Sequence, residues 1–332
     1  MAGRVEGMGD GNGKKTFRAA FMASPGPQDL REGAMLWLKG LCMGGADIIP
    51  GVSGGTIAFI TGIYSQLVDA IRSFDVAFLR RLLRLDLTGA LAEVHLRFLA
   101  CLLFGILTAV VTMAGFMNYM LNNRPVEIWS LFFGLIAASI FVVGREIRPF
   151  NAVNMGFVLL GTVGSYLLVG MIPVTTPETT GFIFLCGAIA ICAMILPGIS
   201  GAFLLLMLGK YEYVTRTLKN PFLWDNFVVL ATFAAGAVVG IVLFSRVLHF
   251  LLNRCHAATV SVLTGFMIGA LRKVWPWKEV LESTVIRGKI HVLRTQNVLP
   301  DGFSGEVVLA LGLFAAGVLV VFVLERLSDR AQ

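Results

Sequence analysis

Pro50-Gly51-Val52-Ser53-Gly54-Gly55 and, 147 positions later, Pro197-Gly198-Ile199-Ser200-Gly201-Ala202 each break a strongly apolar stretch of the chain. The match runs outward to Gly62 and Tyr64, answered at the same offset by Gly209 and Tyr211. Such a break inside a bilayer frees backbone N–H and C=O groups that lipid cannot satisfy, so it persists where protein or a water-filled cavity covers it. A pair at corresponding places in two halves points to a transporter's binding site.

The composition agrees with a bilayer protein: 57% of the 332 residues are hydrophobic, 14% are charged and the mean hydropathy is +0.81, which excludes an ordinary soluble domain. Apolar runs suited to spans of about 20 residues lie near 98–121, 127–144, 153–172, 226–252 and 305–324, with a shorter one at 258–271. The regions 34–70 and 181–212 read separately, as broken helical hairpins. Residues 1–33 are polar, Gly-rich and basic, with no apolar core and cleavage site, and read as a disordered cytoplasmic tail. Cys42, Cys101, Cys186, Cys192 and Cys255 sit in or beside apolar spans without C-x-x-C spacing and read as small buried hydrophobes.

The repeat extends past the breaks. Leu121-Asn122, Ser130 and Gly134 recur as Leu252-Asn253, Ser261 and Gly265 at an offset of 131, and Gly105 recurs as Gly236. A longer connection in the first half, 72–97, accounts for the change of offset. It carries Arg72, Arg80, Arg81, Arg84 and Arg97 around several leucines, a basic amphipathic stretch suited to anionic lipid. The expected fold is therefore an all-α polytopic membrane protein with a first repeat over 34–172 and a second over 181–326. Each repeat holds one broken, re-entrant hairpin and three transmembrane helices.

Three spans per half is an odd number, so the halves are expected to be inverted. The positive-inside rule puts the tail, 72–97 and Arg145/Arg148 in the cytoplasm, with both termini, and the neutral loop 173–180 outside. The basic loop 272–304, with Arg272, Lys273, Lys278, Arg287, Lys289 and Arg294, then falls outside, against the charge bias. Either one hairpin crosses fully or these cations serve an external anionic ligand; the symmetric architecture favours the second.

A broken helix offers free N–H groups and a positive dipole end, which bind phosphate without a formal charge. Ser53, Thr56 and Ser200 add hydroxyls, and Gly51, Gly54, Gly55, Gly198 and Gly201 leave room for close approach, either of a ligand or of another helix. With Pro50 and Pro197 these form the candidate substrate-binding set. Asp47, three residues before the first break, is an ionisable group in an apolar segment; its counterpart is Met194. It reads equally as a carrier of a coupling proton or sodium ion and as a helix cap or partner of Lys39. Lys39, Arg124, Glu127, Lys210 and Arg254 are candidate gate or headgroup contacts, each also readable as helix-end capping or snorkelling. Neither a metal ligand set nor another cofactor is expected: His95, His249, His256 and His291 are scattered, and no nucleophile elbow or nucleotide loop occurs. The basic tail is too short and non-aromatic for nucleic acid. The net charge of +7 suits anionic lipid and an anionic substrate.

The segment Gly45-Ala46-Asp47-Ile48-Ile49-Pro50-Gly51-Val52-Ser53-Gly54-Gly55-Thr56, with Ile195-Leu196-Pro197-Gly198-Ile199-Ser200-Gly201, closely resembles the bacterial undecaprenyl phosphate translocase family, formerly catalogued as a membrane domain of unknown function. The likeness covers about residues 30–326. It implies a translocase of the cytoplasmic membrane that returns undecaprenyl phosphate from the outer to the cytoplasmic leaflet for reuse in peptidoglycan synthesis. Alternating access around the two breaks is the mechanism expected. The competing readings are an ion-coupled transporter of another anionic lipid or small anion, an intramembrane lipid-phosphate enzyme, and a scaffold subunit. The enzyme needs a nucleophile with a base or metal in reach, and neither block holds His, Cys or Glu.

Overall fold

The structure, a computed structural model, describes residues 21–48, 53–171, 176–217, 220, 222–286, 289–300 and 302–329. Pro50 and Gly51 of the first block lie outside the described residues, as do Lys219, Arg287 and residues 1–20 of the basic tail.

The first broken hairpin comprises α1 (Leu30–Asp47), α2 (Gly54–Ile60) and α3 (Tyr64–Arg72). Asp29 starts α1, its carboxylate accepting the Glu32 amide at 2.7 Å. The connection to the spans folds as α4 (Val76–Leu83) and α5 (Leu87–Glu93), with Leu83, Leu85 and Leu87 exposed. Then follow α6 (Leu96–Asn123), α7 (Pro125–Gly144) and α8 (Ala152–Val169). The second half repeats this order with α9 (Thr180–Ile195), α10 (Gly201–Met207), α11 (Tyr211–Thr217), α12 (Trp224–Arg254), α13 (His256–Val274) and α14 (Gly305–Asp329). Among the described residues six helices, α6–α8 and α12–α14, are long and apolar enough to cross a membrane. Their outer faces, such as Phe104 and Val111 on α6 and Leu159 and Leu160 on α8, are exposed and apolar, as lipid requires. Gly62 and Gly209, matched in sequence, occupy the same place in each hairpin. Both have positive φ, 70° and 63°, and turn the chain out of α2 and α10.

Both hairpins leave by the end at which they enter. α1 runs parallel to α6, with Cys101 Sγ donating to Gly33 O at 3.0 Å and Trp37 Nε1 to Thr108 Oγ1 at 3.4 Å. α3 then returns to the start of α6, where the His95 amide donates to Ser73 Oγ at 3.4 Å. In the second half α9 packs along α12, and the α10–α11 turn comes back to the entry of α9 through Lys210 Nζ, which donates to Thr176 O at 2.7 Å. The far end of α12 meets α3, with His249 Nδ1 2.7 Å from Asp69 Oδ1. The hairpins therefore enter from opposite ends of the bundle.

Glycines let these helices touch backbone to backbone. Gly40 and Gly105 seat α1 against α6, and their counterparts Gly187 and Gly236 seat α9 against α12. Gly134 and Gly317 do the same for α7 and α14, and Gly265 and Gly161 for α13 and α8. The α1–α6 pair of the first half thus matches α9–α12 of the second, while α7–α14 and α8–α13 match one another and each joins the two halves.

The segment expected as a loop, 272–304, holds an antiparallel ribbon of β1 (Lys278–Ile286) and β2 (Lys289–Asn297), with Lys278 opposite Asn297. A lone two-stranded ribbon is marginal in water. This one is tied to the bundle by Trp275 Nε1 donating to Val298 O at 2.8 Å and Asn297 Nδ2 to Arg272 O at 2.9 Å. Cys255, read as buried, is exposed between α12 and α13.

The glycine contacts generate a test. A Cβ on Gly44 would lie 2.6 Å from Ile106 O, and one on Gly240 2.6 Å from Ala188 Cα, whereas at Gly156 nothing lies within 4 Å. Gly44→Leu and Gly240→Leu are each expected to cost about 1–3 kcal/mol. Both should lower the melting midpoint in detergent, with Gly156→Leu unchanged.

Candidate functional site

The two sequence blocks meet. α1 ends at Asp47 and α2 restarts at Gly54 with Ser53 as its cap; α9 ends at Ile195, Pro197 cannot continue it, and α10 restarts at Gly201 with Ser200 as its cap. Thr56 Oγ1 accepts the Gly198 amide at 3.0 Å, and Ser53 Oγ stands 3.1 Å from Leu196 O and 3.3 Å from Met194 O, to which its hydroxyl can donate. Ser53, Thr56 and Ser200 are all buried.

Glycine is required at this contact for two reasons. Gly198 has φ +82°, and a Cβ there would lie 2.9 Å from the Met267 backbone; a Cβ on Gly55 would lie 2.5 Å from Ile195 O. The room beside Gly54 is taken by the Asp47 carboxylate, which accepts the Gly54 amide at 2.7 Å. Gly201 packs against Ala190 and Met194 of α9. The close approach these glycines allow is of protein to protein.

That corrects the expectation of bare amide donors at the tips. The Gly55 amide donates to Ser53 Oγ at 3.1 Å, the Thr56 amide to Ser53 O at 3.0 Å and the Phe203 amide to Ser200 Oγ at 3.4 Å. In the first block a carboxylate already occupies the place at the helix start where an anion would sit. Asp47 is thus a cap of α2, and Lys39 turns instead to Thr61 O at 2.7 Å.

A cavity of about 210 Å³ lies against this junction, with Asp47, Ser53 and Ser200 as its polar lining and Ile191, Met194, Leu205 and Phe233 among its apolar walls. None of the five candidate gate residues lines it. Arg124 pairs with Glu127 at 3.3 Å at the α6–α7 turn, Lys210 is held by Thr176, and Arg254 ends α12.

A second, larger cavity of about 1040 Å³ opens between the C-terminal ends of α8 and α13, the α10–α11 turn and the ribbon. α10 is the wall between the two: Ala202 and Leu205 face the small cavity, Phe203 and Leu206 the large one. Arg272, Lys273 and Lys278 line the large cavity. Arg272 donates to Tyr166 O at 3.2 Å, and Lys278 Nζ donates to Lys273 O at 2.6 Å while standing 4.1 Å from the centre of the Trp129 ring. Burial pushes the Lys278 ammonium down to about 7, and the charge of Lys273 acts in the same sense.

Sequence reading missed a polar knot at the other end. His249 faces Asp69 through Nδ1, and Arg72 Nη1 (2.8 Å) and Asn253 Nδ2 (3.0 Å) both face its Nε2. Two donors on Nε2 leave the ring proton on Nδ1, donated to Asp69. These residues lie about 180 positions apart across the pair that matters, and no local spacing announces them.

A family model described as undecaprenyl phosphate translocase-like matches residues 43–291. A polyprenyl-phosphate transporter of Vibrio cholerae serotype O1 is 39% identical over 301 residues, covering 89% of this chain and 96% of the relative. Another polyprenyl-phosphate transporter, of Staphylococcus aureus, is 28% identical over 264 residues, covering 72% of this chain and 85% of the relative. No solved structure matches. With six helices able to span a bilayer and relatives of this kind, the chain is a multi-pass membrane protein that belongs to the undecaprenyl phosphate translocase-like family.

Proposed function

We propose that this chain is a transporter of polyprenyl phosphate, with undecaprenyl phosphate as its lipid, and that it returns the carrier from the outer to the cytoplasmic leaflet of the bacterial cytoplasmic membrane for reuse in envelope synthesis. The named activities of the two relatives support the substrate class. The observation that carries the mechanism is the closure of two hairpins from opposite ends on one another through Thr56–Gly198 and Ser53–Leu196, beside a cavity.

Residues 34–172 and 181–326 form inverted repeats that exchange helices through the α7–α14 and α8–α13 pairs, and the matched glycine contacts support this symmetry. Rocking one repeat against the other opens the central hydrogen bonds and frees the hydroxyls of Ser53, Thr56 and Ser200 for the passing phosphate. The apolar tail stays in lipid. A carboxylate on the cavity wall repels a phosphate, so Asp47 is the place for a coupling proton or sodium ion: neutralised, it lets the headgroup pass. Against an enzyme, no His or Cys lines either cavity among the described residues.

Proteoliposomes carrying a fluorescent polyprenyl phosphate test the function. Leaflet transfer without phosphate release is expected; phosphate release would make the chain an enzyme, and neither signal would end the transport reading. Thr56→Val leaves the buried Gly198 amide unsatisfied, at about 1–3 kcal/mol. It should cut transfer while Thr56→Ser retains it. Asp47→Asn keeps an acceptor for the Gly54 amide but cannot ionise, and it should flatten the pH dependence of transfer. A profile identical to the parent's would remove Asp47 as the proton carrier.

A further inference from the structure

We propose that the large cavity is a docking site for the phosphomonoester of an anionic lipid, held by Lys273, Lys278 and Arg272 before the headgroup reaches the central junction. The lipid in this statement rests on the transport reading; the anion rests on the cavity itself.

Three cations line the cavity, and Glu212 is the one carboxylate among its described lining residues. The partners that orient the cations do not neutralise them. Arg272 lies 4.3 Å from the Tyr166 ring centre and Lys273 4.8 Å from that of Phe203, while Lys278 has a carbonyl and an indole. Among the described residues none of the three forms an ion pair with a carboxylate. Aromatic faces and carbonyls hold a cation in place while leaving its charge for a ligand. Ammonium and guanidinium groups keep further donors, and a phosphomonoester presents three acceptor oxygens with a charge of about −1.5 to −2 at neutral pH.

The surroundings suit a lipid phosphate. Tyr166, Tyr211 and Trp275 line the same cavity, and amphipathic aromatic rings collect at headgroup depth. Leu271, Leu281 and Ile268 give it apolar walls for the first units of a tail. In the inverted topology this is the outer face, where cations run against the usual charge bias; an incoming phosphate accounts for them. Phe203, under Lys273, belongs to α10, whose other face borders the central cavity, so displacing one short helix would connect the docking site to the crossing point.

The test uses the purified full chain in detergent, titrated with farnesyl phosphate, farnesol and inorganic phosphate and followed by calorimetry and by tryptophan fluorescence. Farnesyl phosphate is expected to bind, and Lys273→Gln/Lys278→Gln to weaken it about tenfold or more, the worth of one charged hydrogen bond or more. Lys273→Arg/Lys278→Arg should restore binding. The Lys273 ammonium donates no hydrogen bond among the described residues, so Lys273→Gln alone removes charge with least disturbance and should weaken binding in the same direction. Unchanged affinity in the glutamine variants, or equal binding of farnesol, would overturn the docking site. Inorganic phosphate binding as tightly as farnesyl phosphate would overturn its assignment to a lipid. Leaflet transfer by the parent alongside unaltered binding in the variants leaves transport standing and removes this site. Charge-dependent binding without transfer does the reverse.

Discussion

A hydrogen bond from the Gly198 amide to the Thr56 hydroxyl joins two helix breaks 142 residues apart, and most of the architecture serves to bring those atoms within 3.0 Å. A helix interrupted in an apolar surrounding must satisfy its loose backbone groups inside the protein. Here each break supplies what the other lacks: Ser53 and Thr56 bring hydroxyls to a second block whose proline and glycine have none to offer, and Leu196 and Met194 bring carbonyls. Gly55 and Gly198 remove the side chains that would hold the backbones apart. The breaks face one another between two hairpins that lie along α6 and α12.

Much of this was legible in the residues. The breaks, the six spans and the pairing of Gly105 with Gly236 and of Gly134 with Gly265 depend on local properties: loss of an N–H at proline, the length of an apolar run, and the need for small residues where helices touch. Gly62 and Gly209 announce their turns for the same reason. What could not be read depends on partners distant in the chain. That Asp47 caps α2 is not readable until the Gly54 amide is placed beside its carboxylate. The His249–Asp69 pair is invisible from spacing because α3 and α12 are neighbours only after folding. The ribbon at 278–297 was hidden by its charge, which reads as a solvated loop until Trp275 and Asn297 anchor it.

The two cavities differ in their electrostatics, and the difference follows from depth. At the mouth, Arg272 stands exposed and Lys273 and Lys278 partly buried, and burial of the Lys278 ammonium lowers its pKa, so an arriving anion stabilises its charged form. At the junction no cation lines the cavity among the described residues, and its ionisable lining group there is Asp47. A lysine in the small cavity would grip a phosphate in the apolar centre, deepening a well from which it would have to escape. Hydroxyls and amides bind it more weakly, and conduction through a barrier favours contacts strong enough to enter and weak enough to leave.

Closure at the opposite end has a different character. The Asp69–His249–Arg72–Asn253 knot ties α3, the returning arm of the first hairpin, to the end of α12 in the other half. In the proposed mechanism, moving one hairpin against the other would break this knot as well as the central bonds, yet Asp69 and His249 are partly exposed, so water would replace what the knot loses. The central bonds are buried and have no such replacement. A phosphate arriving between Ser53 and Ser200 can supply acceptors for the freed hydroxyls, so the ligand itself offsets the cost of opening the centre. In that mechanism the empty protein is held shut where its own groups are buried and would be unpaired on opening, and the headgroup releases it there, which would couple the movement to the presence of the headgroup.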